Sequence, residues 1–153
     1  MTEAGPLSPI PVRLPRTELI YEAVADLGPT MRLGEGPLGE RRIVSITGGV
    51  FAGPRIRGTI LPGGADRQLL RRDDVLALDA LYELRADDGA ILTVQNRVLI
   101  DTRDTDPRRV PYSQLVVTAP EGPHAWLNRL VLVGSLHDLA PEPKVLIRVY
   151  CLT

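Results

Sequence analysis

The 153-residue chain holds one cysteine, Cys151, and two histidines, His124 and His137. One thiol closes no intrachain disulfide, and one thiol with two distant histidines makes no metal-ligand cluster. Long apolar runs are missing too. No stretch approaches the ~20 apolar residues of a membrane helix. The opening MTEAGPLSPIPVRLPR has four prolines and no apolar run of signal-peptide length. These absences lead us to expect a cytoplasmic protein with no metal and no membrane partner.

Charge of one sign is also lacking. The net charge is −1, and the pairs Arg41–Arg42, Arg71–Arg72 and Arg108–Arg109 are not interleaved with aromatic residues, so nucleic acid is not an expected partner. Cofactor signatures are absent as well. There is no phosphate-binding loop, and GEGPLG (34–39) lacks the G-x-G-x-x-G spacing and the strand-to-helix setting of a dinucleotide fold. No G-x-S-x-G surrounds a nucleophilic serine. Any chemistry is expected to run without a cofactor.

What remains is a chain of single-domain size, 44% hydrophobic and 24% charged. Gly, Pro and Asp punctuate it every ~8–15 residues, and the segments between are β-branched or alternating, a pattern of all-β sandwiches and barrels. The segments predict strands at 17–27, 41–51, 55–61, 75–86, 90–101, 112–119, 128–139 and 143–152, with a bulge or sharp bend at Gly48–Gly49 and one helical turn in 122–128. Pro29 and the GEGPLGE stretch read as a loop. Asp87–Asp88–Gly89 between two alternating runs is a strong hairpin signal. The fold expected is a single closed antiparallel β-barrel of about eight strands over residues 17–153, preceded by a flexible proline-rich arm, 1–16. A closed barrel has no exposed edge to pair, which argues against a purely structural, oligomerising role, although a homodimer is allowed.

Side-chain parity divides the faces. In 75–86 the even positions Leu76, Leu78, Ala80, Tyr82 and Leu84 are nearly all apolar, against Asp79, Leu81, Glu83 and Arg85. In 90–101 the even set Leu92, Val94, Val98 and Ile100 is apolar except for Asn96. Alternation alone leaves open whether the polar face meets solvent or a wet lumen.

The stretches ITGGVFAGPRIRGTILPGGAD, LDALYELRADDGAILTVQNR and AWLNRLVLVG, taken in order over residues 17–150, resemble the bacterial and fungal domain-of-unknown-function family numbered 3237. The resemblance implies a single β-barrel akin to allene oxide cyclase and lipocalin-like barrels, a shape that hosts cyclases, isomerases and binding proteins alike. The chain departs from the family pattern where Arg67 replaces a tryptophan, Leu81 an arginine, and Ser113–Gln114 an aromatic–arginine pair after Tyr112. If those positions line one cavity, its occupant differs from that of an ordinary member.

The candidate catalytic residues are Asp66, Asp79, Arg97 and Tyr82. Asp66 follows ILPGG, where the glycines permit a turn and its carboxylate could simply cap an N–H. At a barrel mouth it would instead serve as acid or base. Asp79 lies mid-strand, where aspartate is disfavoured, and would act as a base inside a lumen or bridge Arg97 across strands. Tyr82, like Tyr150, is a core residue or a donor to a developing oxyanion. Candidate substrate-binding residues are Arg55, Arg67, Gln95, Tyr112, His124, Trp126 and Asn128. An arginine fork suits carboxylates or enolates; Trp126 plugs a barrel end, and Asn128 holds a loop backbone or a ligand carbonyl. The expected function is a small-molecule barrel enzyme for a cofactor-independent proton transfer (isomerase, cyclase or lyase) in natural-product metabolism. The rival is a barrel that binds a small ligand without chemistry.

Overall fold

The computed structural model describes residues 3–153. Two short strands, β1 (Ala4–Gly5) and β2 (Ser8–Pro11), pair in a small exposed hairpin outside the main sheet. The remaining strands are β3 (Thr17–Gly36), β4 (Gly39–Ala52), β5 (Arg57–Ile60), β6 (Gly64–Arg71), β7 (Val75–Ala86), β8 (Ile91–Asp101), β9 (Tyr112–Thr118), β10 (Leu132–Asp138) and β11 (Lys144–Leu152). They pair antiparallel in the order β3-β11-β10-β9-β8-β7, then β5 and β6, then β4, and β4 returns to β3. The sheet is closed and the protein is an antiparallel β-barrel of eight ring positions.

One ring position is filled by two strands. Both β5 and β6 run between β4 and β7: Gly58 pairs with Phe51 and Ala86 at one end, and Asp66 with Val44 and Ala80 further along. The ILPGG stretch therefore does not reverse the chain. It is a kink inside one interrupted strand, and residues 64–71, not foreseen as a strand, form its second half. Gly63 takes φ +104°, a left-handed conformation that other residues resist. A Cβ on Gly64 would lie 2.5 Å from the Tyr82 Cβ, so only glycine lets β6 rejoin the ladder there.

The strand expected at 17–27 runs on to Gly36. Pro29 is tolerated because the register shifts between Leu27 and Thr30, so its missing N–H falls where the ladder is already broken. The Gly48–Gly49 bulge is present: Asp26 pairs with Gly48 and Leu27 with Ile46, leaving Thr47 without a partner.

The question that alternation left open is resolved by burial, with the apolar even positions of β7 and β8 facing inward. At one end the interior is packed solid. Tyr21, Leu84, Leu92, Val94, Leu127 and Val149 are fully buried there, and Tyr21 meets Phe51 edge-on at 5.6 Å between ring centroids. A 3-10 helix, Ala125–Arg129, closes this end by inserting Leu127 and packing Trp126 on the core. The Arg55 guanidinium lies 3.8 Å above the Trp126 ring. No helix in residues 3–153 is long and apolar enough to cross a membrane.

Candidate ligand cavity and its acid

The other end is hollow, because the inward positions there are small or short. Ala25, Gly28, Val44, Ala80 and Val98 stand where the plugged end has tyrosine, phenylalanine and leucine. The result is a cavity of about 440 Å³, within the ~300–1,000 Å³ range of small-molecule sites.

Strand register arranges its wall in rows. The rim row runs Arg42–Gln68–Leu78–Val98 across β4, β6, β7 and β8. One step deeper comes Val44–Asp66–Ala80–Asn96. Deeper still, Tyr82 of β7 stands opposite Val94 and over Gly64, at the floor. The facing wall, from β3, β10 and β11, is mostly apolar, with Leu27, Leu136, Val145 and Ile147 and the single hydroxyl of Thr30. Most of the lumen's polar groups are thus on one side.

Asp66 is the one carboxylate in this lining and Arg42 the one cation. The Asp79 backbone N–H donates to Asp66 Oδ1 at 3.0 Å, and Gln68 Nε2 donates to Asp66 Oδ2 at 2.8 Å. Arg42 Nε donates to Gln68 Oε1 at 2.7 Å. Each end of the Gln68 amide is thereby specified: its oxygen faces a group that only donates and its nitrogen a group that accepts. Burial pushes the Asp66 carboxyl above the usual aspartate range. The two hydrogen bonds hold it back, the Asp79 carboxylate adds to the rise, and the Arg42 charge opposes it. Burial raises the Tyr82 and Tyr21 phenols as well, Tyr21 further through its neighbour Tyr82, so both remain protonated. Four inward-facing polar atoms, Tyr21 Oη, Tyr82 Oη, Asn96 Oδ1 and Ser113 Oγ, are buried without a hydrogen-bond partner among the described residues.

Of the residues singled out in the sequence, the structure brings only Asp66 and Tyr82 to this cavity. Asp79, Arg97 and Gln95 lie on the outer face. Arg97 Nε stands 3.6 Å from Asp79 Oδ1, and Gln95 Nε2 donates to the same oxygen at 3.3 Å, so the cross-strand bridge is what forms. Parity dictates this, since odd positions of β7 and β8 point away from the lumen. Arg67, beside Asp79, shares that outer row, as does Gln114 beside Arg97. Leu81 and Tyr112 are exposed. The positions that depart from the family pattern therefore do not line one cavity, and Ser113 alone of them faces inward. At the plugged end, Arg55 stacks on Trp126, and His124 Nε2 lies 2.9 Å from Asp88 Oδ2. Asn128 clamps a loop backbone: its Nδ2 donates to Ala119 O at 2.9 Å and its Oδ1 accepts from Ala119 N–H at 2.7 Å. Among the described residues no group of three or more His, Cys, Asp or Glu is placed to hold a metal.

Arg42, Gln68 and Asn96 were not among the sequence candidates. Their signal was parity: Asn96 interrupts an apolar inward set, Gln68 shares the face of Asp66, and Arg42 the face of Val44 and Ile46.

Fold and cavity together define a hollow antiparallel β-barrel with a lumen of small-molecule size and one acidic group in its wall. The chain belongs to the family described as "Protein of unknown function (DUF3237)", whose model matches residues 15–152. It is 39% identical over 131 residues to a UPF0311 protein of Rhodopseudomonas palustris, an alignment spanning 78% of this chain and 86% of that one. The crystal structure of the conserved R. palustris protein RPA1785 superposes with a TM-score of 0.83 at 28% identity, covering 93% of this chain and 100% of the other. A β-barrel-like protein of Acinetobacter baumannii superposes with a TM-score of 0.79 at 29% identity, over 92% and 99% of the two chains. A more distant relative, 25% identical over 82% of this chain and 76% of its own, is a hydroalkoxylation enzyme of Penicillium herquei.

Proposed function

We propose that this barrel is a small-molecule enzyme in which Asp66 transfers a proton to or from a largely apolar substrate held in the lumen, in a cofactor-independent isomerisation, cyclisation or lyase step. The observation that supports this most is the setting of Asp66. It is the single carboxyl of an otherwise mostly apolar cavity, raised in pKa by burial and fixed through both oxygens. A carboxyl whose pKa is raised is a stronger base when ionised and can act as acid in one step and as base in the next. Each oxygen spends one lone pair on its fixed donor and retains another, so the proton sits on a free lone pair while the orientation stays unchanged. Enclosure holds the substrate against that group and excludes competing water.

The hydroalkoxylation enzyme among the relatives supports the same class of chemistry. Adding an O–H across a carbon–carbon double bond within one molecule is an isomerisation: the acid protonates one carbon, the oxygen bonds to its neighbour, and the hydroxyl proton returns to the carboxylate. Deuterium incorporation tests the reading directly. Hydroxy-alkenes and enolisable ketones of lumen size are incubated with the protein in D₂O, and carbon-bound deuterium and cyclised product are followed by mass spectrometry. Wild type and Asp87→Asn, which alters an exposed carboxylate paired with Arg57 outside the cavity, are expected to label at equal rates, and Asp66→Asn to be slower by about 100-fold or more. Equal labelling by Asp66→Asn, or binding of these compounds with no labelling by wild type, would contradict the proposal and favour a binding barrel.

A further inference from the structure

The rim of the lumen holds a cation whose charge nothing balances directly. Arg42 is half-buried, and its Nε is committed to Gln68 Oε1 at 2.7 Å. Its two terminal nitrogens have no hydrogen-bond or ion-pair partner among the described residues. Arg32 stands directly across from Arg42 on β3, on the same face, but its Nη1 is taken by Glu40 Oε1 at 2.6 Å, so that pair is neutral. Asp66, the carboxyl in the next row down, is separated from Arg42 by the whole Gln68 amide.

We propose that Arg42 anchors the carboxylate of an amphipathic acid whose hydrocarbon body fills the lumen. The free terminal nitrogens present a planar fork that matches two carboxylate oxygens, and fixing Nε on Gln68 sets its direction in advance. Partial burial strengthens the pairing relative to an exposed arginine. Beneath the anchor the facing wall of Leu27, Leu136, Val145 and Ile147 offers apolar contact, interrupted by the Thr30 hydroxyl. The head therefore sits at the mouth and the tail points toward Tyr82. Asp66 lies one row below Arg42, so it meets an atom a few bonds from the acid head, and that is where the chemistry is directed. This assignment rests on the lumen being the ligand site, as in the proposed function, but it does not require Asp66 to react.

Binding of octanoate and octan-1-ol, which share a hydrocarbon chain and differ in the head, provides the test. Both are titrated into isotope-labelled protein and followed by amide chemical shifts. Wild type is expected to favour octanoate, with shifts centred on β4, β6 and β11. Arg42→Gln should reduce the octanoate-to-octanol affinity ratio by about tenfold or more. Arg42→Lys, which keeps the charge but loses the fork, should fall between. Neither octanoate nor octan-1-ol has a carbon–carbon double bond to protonate, so the ratio reads the anchor without the proposed proton transfer, which the deuterium labelling reads separately. Failure of this assignment is thus distinguishable from failure of the catalytic one. An unchanged ratio in Arg42→Gln, no preference in wild type, or octanoate shifts centred on the arginines of 103–109 would overturn it.

Discussion

Asp66 shows how a single carboxyl acquires a role from its surroundings. The same residue type thirteen positions on, Asp79, lies on the outer face with Arg97 beside it, where an exposed ion pair contributes about 0–1 kcal/mol. Asp66 faces a cavity, and burial favours its neutral form. The consequence for stability has a definite sign. An acid whose folded-state pKa is raised binds its proton more tightly in the fold than in the unfolded chain. The stabilisation from that proton is complete below the unfolded value near ~3.9 and is lost as pH rises through the folded value. Asp66→Asn cannot ionise and escapes this loss. The difference in unfolding free energy between variant and wild type should therefore move in the variant's favour from about pH 4 to pH 7. Urea unfolding at several pH values measures it, and a flat difference, or one moving toward the wild type, would contradict the assignment. At this scale the sequence was only partly legible. Asp66 and Tyr82 stood out by type, but Arg42 and Gln68 matter through contacts between β4 and β6, and residues 64–71 were not recognised as a strand. With that strand missing, nothing set Gln68 opposite Arg42.

The strands themselves were more legible than their ends. The hairpin about Asp87–Asp88–Gly89 and the bulge at Gly48 follow from local patterns that tertiary packing had no reason to override, whereas alternation divided the faces of β7 and β8 without saying whether the polar one lined the lumen. Two elements went differently for reasons of pairing. Pro29 breaks a strand only if its N–H is needed, and here it is not. Leu61–Pro62–Gly63 has the composition of a turn, yet β4 and β7 continue on both sides of it and hold the two halves in one lane. Gly64 is the point where that lane resumes, against Tyr82. Gly64→Ala would drive a methyl group into the Tyr82 Cβ and the Leu81 carbonyl, at 2.5 and 2.8 Å. Overpacking of this kind costs about 1–3 kcal/mol or more. Thermal unfolding should show a Tm several degrees lower for Gly64→Ala, whereas Gly63→Ala, with open space at its Cβ, should lose only the cost of its left-handed backbone. Equal losses would mean that the contact with Tyr82 does not govern this site.

On the scale of the whole molecule, the barrel is half core and half container. Large side chains and the Trp126–Leu127 plug fill one end, and that packing supports the strands whose continuations enclose the cavity at the other. Such a division suits a small enzyme, since the rigid half fixes the direction of side chains in the hollow half. The uneven polarity of the lumen follows from the same register, which brings Asp66, Asn96 and the Arg42–Gln68 pair to one wall, while β10 and β11 contribute only apolar residues to it. The account depends most on one property of this container, that its single acid keeps a proton beyond the range of an ordinary aspartate. Carboxyl-carbon NMR, with Asp66→Asn identifying the resonance, gives the Asp66 titration midpoint in the intact protein. The account predicts a midpoint clearly above the ~3.9 of an unperturbed aspartate; a midpoint at or below that value would contradict it.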